Sequence, residues 1–385
     1  MSRTGRGQGA SRSGWAAWIR FGIASLLMAL IFHVIFCNEA QLHLASTGGN
    51  WNALSAWEQR RMAWSRGPIE LWQTARRLDA ANLMLALVLC GLPIVVGGLR
   101  WRVALRVQGL DLPLREVVRI SFVAHFFNAF LLGATGGDVV KAWYAARLTH
   151  HKRAEAAVTV VVDRLLGTLA LLVFAALMIP LAWHATAPEP LFLRYRRYEA
   201  LALLVGAMAV AAALLVGIGF YTDLLAEGSA FGRVLRRLPK GTSVARALAA
   251  CRLFGHRRGF VRTTAVYSLL INLSIVGTFL VLAGGLRLAV PGAVLWFVVP
   301  AVICVAALPV TPSGLGVREN LFVSMLAVSA FPGVRHGEAL ALSLLGYSAN
   351  LAWSAVGGLV YLLLPGRDAL SHLDAAGTSA DDPGT

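Results

Sequence analysis

Apolar residues along the chain fall into nine segments that are separated by polar loops. The segments cover roughly 16–37, 81–99, 117–134, 156–183, 200–221, 263–283, 292–308, 317–331 and 339–364. Most of them approach the ~20 apolar residues with which an α-helix crosses the hydrocarbon core of a bilayer. The pattern therefore predicts an all-α, polytopic membrane protein.

The composition agrees with membrane insertion. Of the 385 residues, 57% are hydrophobic and only 14% are charged, whereas a soluble domain carries about a quarter charged residues. The formal net charge is +16, but the basic residues lie between apolar segments and no nucleic-acid-binding module is visible. Because lysine and arginine collect in cytoplasmic loops of membrane proteins, we expect no nucleic-acid partner.

Basic clusters also predict how the chain crosses the membrane. One cluster precedes the first segment, a second lies in 100–115, and a third fills a basic loop at 222–262. All three are expected to face the cytoplasm. Three apolar segments separate the last two clusters, and three crossings would place those clusters on opposite sides. One segment therefore does not cross, and we expect a re-entrant hairpin in which 117–132 enters and 138–148 returns.

The second half of the chain has a similar interruption. Segments 292–308 and 317–331 are short and flank a turn rich in proline and glycine, which predicts a second re-entrant hairpin. Non-helical backbone at membrane depth is tolerated only where protein or water surrounds it. We expect about six spans plus two re-entrant helical hairpins in an inverted-repeat-like arrangement, a layout that places a binding site where the halves meet.

These elements divide the chain into three parts. Residues 1–15 are predicted to form a basic cytoplasmic N-terminus, 16–364 the transmembrane domain, and 365–385 a disordered cytoplasmic tail. Both termini are thus expected on the cytoplasmic side of the inner membrane. Within the domain, the outer loop 38–80 contains four tryptophans among charged residues, which predicts an amphipathic helix in the headgroup layer.

Charged residues occur next to the first interruption. Asp138 follows Gly136 and Gly137, which predicts that its carboxylate caps the N-terminus of the returning helix. Lys141 lies one turn later on the same face. A charge at membrane depth is costly and usually functional, although a local cap with an ion pair would also account for these residues.

Asp163 and Arg164 lie about two turns into segment 156–183. Adjacent side chains on a helix point about 100° apart, so each residue needs a partner elsewhere. The candidate partners are Lys141 or Arg318 for Asp163, and Asp138, Glu319 or a ligand anion for Arg164. The pattern is consistent with a structural clamp and with a substrate contact.

The second interruption carries its own charged pair. Arg318 and Glu319 follow Gly314 and Gly316, two glycines that allow a tight turn. The N-terminus of the helix that follows this turn favours an anion nearby. In the first hairpin arm, His125 and Asn128 lie one turn apart and are secondary candidates for the same site.

The sequence contains no visible catalytic centre. Nucleophile-elbow, Walker, zinc-protease and glycosyltransferase motifs are absent, and the four cysteines have neither CxxC nor metal-ligand spacing. We therefore expect no enzymatic activity, no cofactor and no metal ion. The cysteines are expected to act as small hydrophobic residues.

Four motifs in order resemble the membrane domain of lysylphosphatidylglycerol synthases, a family of flippase-like proteins. They are Arg100-Trp101-Arg102, Gly136-Gly137-Asp138-Val139-Val140-Lys141-Ala142, Asp163-Arg164-Leu165-Leu166-Gly167, and Leu308-Pro309 followed by Pro312 to Glu319. The resemblance covers about 81–364 and implies movement of lipids across the cytoplasmic membrane. It does not imply lipid synthesis. The family usually has arginine where Lys141 stands, and lysine retains the charge but loses bidentate anion recognition.

Three hypotheses follow for the function. The first is translocation of a phospholipid or lipid-linked glycan headgroup, with membrane lipids as partners. The second is a non-catalytic partner of a separate lipid or glycan synthase. The third is an ion-coupled carrier of a small solute.

Overall fold

The protein is all-helical in the part of the chain that the structure describes. The computed structural model covers residues 49–130, 136–148, 153–185, 191–221, 251–308, 314 and 316–363, with a few isolated residues between 33 and 44. No strand occurs among these residues, so the predicted all-α class is confirmed.

Twelve α-helices have both ends within the described residues and are numbered in chain order, apart from a short 3-10 helix at Trp51–Ala53. They are α1 (Ala56–Ala75), α2 (Ala80–Val107), α3 (Leu114–Phe130), α4 (Gly136–Leu148), α5 (Arg153–Leu177), α6 (Ile179–His184), α7 (Leu191–Arg194), α8 (Arg196–Tyr221), α9 (Arg258–Gly285), α10 (Gly292–Ala306), α11 (Val317–Leu326) and α12 (His336–Leu362).

Five segments are long and apolar enough to cross a membrane. They are α2, the segment Glu155–His184 that joins α5 to α6, α8, most of α9, and α12. These coincide with five of the six predicted spans. The remaining one, 16–37, lies outside the described residues except for three positions, and so does the predicted tail at 365–385.

Each interrupted segment forms a pair of shorter helices. The first pair is α3 and α4, which pack against each other, and the second is α10 and α11, which also touch. Most residues of the turns between them, positions 131–135, 309–313 and 315, lie outside the described residues. The re-entrant geometry of both hairpins therefore stays a prediction.

Two predicted loops contain more helix than the apolar pattern indicated. Helix α2 begins where the Asp79 side chain accepts the Asn82 N–H, and it continues to Val107 before Gly109 adopts a φ of 69°. Arg100 is consequently inside a helix, and not in a loop as the apolar pattern suggested. Residues 222–250 of the basic loop lie outside the description, and its last residues already belong to α9.

The helices pack around a shared interior and expose apolar side chains at the periphery. Helix α2 runs along α9, and α3 lies against α2, α4 and α12. Phe297, Leu326 and Leu340 are fully buried in the larger core, whereas α8 exposes Leu203 and Leu214. Exposed leucines on a long apolar helix suit contact with lipid rather than water.

Helix α1 corresponds to the tryptophan-rich outer loop. Its exposed side chains include Trp57, Trp64 and Trp72, as expected for indole rings that face outward. Arg77, just beyond its end, approaches Glu338 at the start of α12 within 3.6 Å. Insertion of this helix in the headgroup layer stays a prediction.

Candidate functional site

A cavity of about 380 Å³ lies among the helices of both interrupted segments and α2, α5, α9 and α12. Its lining contains four ionisable side chains that the sequence singled out, Asp138, Lys141, Asp163 and Arg318. Both secondary candidates, His125 and Asn128, line it as well. Residues separated by almost two hundred positions along the chain thus meet at one site.

Asp163 on α5 accepts hydrogen bonds from two cationic side chains. Arg100 on α2 donates from Nε to Asp163 Oδ1 at 2.8 Å, and Lys141 on α4 donates from Nζ to Oδ2 at 3.4 Å. The Arg100 guanidinium also donates to the Asp163 carbonyl and to Ser268 Oγ. Asp163 and Lys141 are each only 8% exposed. Lys141 is one of the two partners predicted for Asp163, and this pair joins the first interrupted segment to a spanning helix.

Lys141 also contacts an aromatic ring. Its Nζ lies 4.4 Å from the centroid of Trp101, within the range of a cation–π interaction. Trp101 is fully buried and its Nε1 donates to Thr159 Oγ1 at 3.0 Å, which fixes the ring. The ammonium is therefore held at the cavity wall by α2 and α5 together.

Arg164 pairs with Asp138, as one of the predicted alternatives proposed. Helix α4 begins at Gly136, so Asp138 is its third residue and not its N-cap as the sequence suggested. The cap is supplied by α3, because Asn128 Oδ1 accepts the Gly137 N–H at 2.8 Å. Asp138 is thus available to pair across to α5, which is a tertiary contact and not the local pair with Lys141.

Arg318 and Glu319 pair with each other. Glu319 is fully buried, accepts from Arg318 Nε at 3.1 Å, and also accepts the Gly316 N–H at 2.7 Å through its other oxygen. Arg318 lies over the Tyr347 ring at 4.4 Å, and both line the cavity. Glu319 does not line the cavity but orients the side chain that does.

The two turn glycines adopt the backbone that the sequence predicted. Gly314 has a φ of 68° and Gly316 a φ of 87°, a region that L-residues with a Cβ rarely enter. Neither glycine lines the cavity, and neither do Gly136, Gly137 or Arg164. These residues position the cavity lining without being part of it.

A polar wall of the cavity comes from α3 and α12. His125 Nε2 hydrogen-bonds the Asn350 carbonyl oxygen at 3.3 Å, and the two residues line the cavity together with Tyr347. His125 is thus a bonded residue between two helices, and the contact joins the first interrupted segment to the last span.

Sequence reasoning missed Arg100 as a site residue. It ends an apolar run and begins a string of arginines, so the pattern placed it in a loop. The available signal was the Arg100-Trp101-Arg102 motif, since both Arg100 and Trp101 contact the Asp163–Lys141 pair.

Fold and site together define an α-helical membrane protein with a cavity between its helices that is lined by paired charged side chains. The model of the lysylphosphatidylglycerol synthase TM region matches residues 52–358 of the chain, and the chain belongs to this family. No curated relative matches it. The matched range includes the charged residues of the cavity.

The arrangement offers ionic and hydrogen-bonding contacts to a polar group. Within the described parts of the chain, no group of three or more His, Cys, Asp or Glu side chains is placed to hold a metal ion. The chemistry that the lining residues supply is binding through ammonium, guanidinium, carboxylate, amide and hydroxyl groups.

Proposed function

We propose that the protein translocates the headgroup of a phospholipid or lipid-linked glycan across the cytoplasmic membrane, without catalysing a reaction on it. The cavity that brings Asp138, Lys141, Asp163 and Arg318 together carries this proposal. The family of the chain supports a flippase-like membrane protein. Membrane lipids are the proposed partners, and both termini are proposed to face the cytoplasm.

The physical argument rests on the cost of burying charge. Moving an ionised side chain out of water costs several kcal/mol unless it is paired. Asp138, Lys141 and Asp163 are each paired with a residue on another helix, whereas Arg318 is paired with Glu319 on its own helix. Ion pairs between helices exchange partners at lower cost than they separate. Such exchange lets one side of the cavity open while the other closes around a polar headgroup.

The volume of the cavity suits a headgroup and not a whole lipid. Pockets for small molecules measure about 300–1,000 Å³, and the cavity has about 380 Å³. The acyl chains would remain in the bilayer beside the exposed leucines of the spans, where their transfer costs nothing.

The test is lipid translocation in reconstituted vesicles. The purified chain is inserted into vesicles that contain a fluorescent phospholipid, and the fraction that reaches the other leaflet is read by chemical quenching. Asp163→Asn and Arg318→Gln should each lower the rate by about 10-fold or more, because hydrogen bonds to charged groups contribute about 1.5–3 kcal/mol.

Asp111→Asn provides the matched control. Asp111 pairs with Arg106 at 3.3 Å, but its side chain is 72% exposed, and exposed pairs contribute little. This variant should translocate at the wild-type rate. Folding of every variant is checked by size-exclusion chromatography and thermal unfolding. Folded Asp163→Asn and Arg318→Gln proteins that translocate normally would rule out the mechanism.

A carrier of a small solute is the second candidate, because the cavity volume also fits a small molecule. A competition experiment with a soluble headgroup distinguishes the two functions. A soluble headgroup without acyl chains should leave lipid translocation unaffected if the substrate is a lipid, whereas a solute carrier would accumulate the soluble compound in the vesicles.

A further inference from the structure

The Asp163 carboxylate is paired with Arg100 as well as with Lys141, and the contact with Arg100 is the shorter one. The Arg100 guanidinium donates to one carboxylate oxygen at 2.8 Å and to the backbone carbonyl of the same residue at 3.2 Å. Lys141 reaches the second oxygen at 3.4 Å, beyond the usual length of a charge-assisted hydrogen bond, about 2.7–2.9 Å. The carboxylate is therefore neutralised mainly by Arg100.

The Lys141 ammonium has unused bonding capacity. It carries three N–H donors, and in the described part of the chain Asp163 Oδ2 is the acceptor that it reaches. The side chain is 8% exposed and lines the cavity. A cation that has left water in this way requires an anion or another acceptor in the space that it faces.

The charge count of the cluster is unequal. Four cations, Arg100, Lys141, Arg164 and Arg318, meet three carboxylates, Asp138, Asp163 and Glu319. The undescribed positions of the two turns, 131–135, 309–313 and 315, contain no ionisable residue. Among these seven described side chains one positive charge is in excess, and the longer bond of Lys141 to Asp163 assigns it to Lys141.

We propose that Lys141 binds one phosphodiester group of the translocated headgroup, and that Arg100 is a positioning residue that neutralises Asp163 so that Lys141 can do so. The inference rests on the proposed function and names the part of the headgroup that the cavity recognises. A phosphodiester carries a single negative charge at neutral pH, which matches the single excess cation.

Trp101 forms one side of this anion site. The fixed indole of Trp101 holds the ammonium from one side, and the Lys141 side chain lines the cavity. The Asn128 side chain lines the same cavity. Arg318 is a less suitable anion ligand, since Glu319 accepts from its guanidinium at two nitrogens.

The test measures binding by native mass spectrometry on the full chain in detergent. Three probes are titrated: phosphatidylglycerol, a diacylglycerol with the same acyl chains, and glycerol 3-phosphate. Lys141→Met should weaken phosphatidylglycerol binding by about 10-fold and leave diacylglycerol binding unchanged. Lys141→Arg should restore binding, because arginine keeps the charge and offers more donors.

Two further variants separate the anion site from general effects. Arg147→Met removes a cation from the same helix, where Arg147 is exposed and lies over the Trp143 ring, and it should bind all probes as the wild type does. Arg100→Gln leaves Asp163 to Lys141 alone and should reduce the preference for phosphatidylglycerol over diacylglycerol. A purely structural role for Arg100 would weaken both lipids equally.

The outcomes distinguish this inference from the function on which it rests. Equal losses of phosphatidylglycerol and diacylglycerol in Lys141→Met, or no loss at all, would overturn the phosphodiester site even if the vesicles show translocation. Lys141-dependent phosphate selectivity in a protein that moves no lipid would support the site and refute translocation. Glycerol 3-phosphate that binds as tightly as the lipid would assign the anion to a soluble solute.

Discussion

Asp163 shows how a single carboxylate organises the interior of this protein. It accepts from Arg100 on α2 and Lys141 on α4 while it stands on α5, so three helices share one buried anion. Removing one partner of a buried pair leaves an uncompensated charge, which costs more than the pair contributes. The stability of the three-helix contact therefore depends on each member of the group.

Replacing Arg100 tests this dependence. Arg100→Met should destabilise the protein by about 3 kcal/mol, since Asp163 would retain only the longer bond to Lys141. The apparent melting temperature of the detergent-solubilised protein measures the change. Arg106→Met, on the same helix and paired with exposed Asp111, should stay within about 0.5 kcal/mol of the wild type. Equal changes in stability for the two substitutions would show that the buried Arg100 contact contributes no more than an exposed ion pair.

Most charged contacts at this scale could be predicted from the sequence. Ions in apolar segments must be paired, and that requirement gave Lys141 or Arg318 for Asp163, and Asp138, Glu319 or a ligand anion for Arg164; the structure selects Lys141 and Asp138. Arg100 could not be recognised in this way, because a helix that extends past its apolar run looks like the start of a basic loop. The N-terminal cap of α4 was also out of reach, since Asn128 supplies it from another helix.

At the scale of elements, α3 and α4 are held together by unusually close backbone contact. A methyl group on Gly137 would overlap the carbonyl oxygen of Ala124 on α3. A collision with backbone cannot be relieved by a side-chain rotation, so the two helices would have to move apart. Their contact is what brings Asp138 and Lys141 to α5.

Gly137→Ala should therefore destabilise the protein and reduce translocation. Forcing extra atoms into a packed contact costs about 1–3 kcal/mol, and separation of α3 from α4 would also displace Lys141. Thermal unfolding and the vesicle assay measure the two effects.

Gly206→Ala is the matched control for this substitution. Gly206 lies inside α8 with no heavy atom within 4 Å of its added methyl group, so alanine should be neutral or stabilising by up to about 1 kcal/mol. If both alanine variants behave alike, the close contact of α3 and α4 has no energetic importance.

The apolar pattern predicted the existence of these elements better than their ends. Long spans were recognisable because a bilayer imposes a minimum length on them. The short helices were recognisable as interruptions, since glycine and proline break the apolar runs. Helix ends depend on caps and neighbours, which explains why α2 extends to Val107 and α4 begins at Gly136 rather than at the predicted positions.

At the scale of the whole molecule, the cavity lies where the helices of the two interrupted segments meet. Asp138 and Lys141 come from the first segment and Arg318 from the second, while the spanning helices contribute Cys90 and Asp163. The sequence predicted a site at this junction from layout alone. It could not provide the polar wall of His125 and Asn350, because that contact joins helices far apart in the chain.

A translocator must expose such a cavity to each side of the membrane in turn, and Cys90 can report this. Its side chain lines the cavity, and the chain has three other cysteines that can be replaced, Cys37, Cys251 and Cys304. With Cys90 as the single cysteine, a charged maleimide that does not cross membranes should label the protein from either face of oriented vesicles. Saturating phosphatidylglycerol should slow the reaction by occupying the cavity.

The variant that retains only Cys304 provides the comparison, since this residue is 2% exposed in the core of α10 and should stay unlabelled from both faces. Labelling of Cys90 from one face alone, whatever lipid is present, would mean that the cavity never changes sides. Alternating exposure requires the ion pairs of α4 and α5 to rearrange, so Asp163→Asn should confine labelling to a single face. That result would connect the charge exchange at one carboxylate to the motion of the whole molecule.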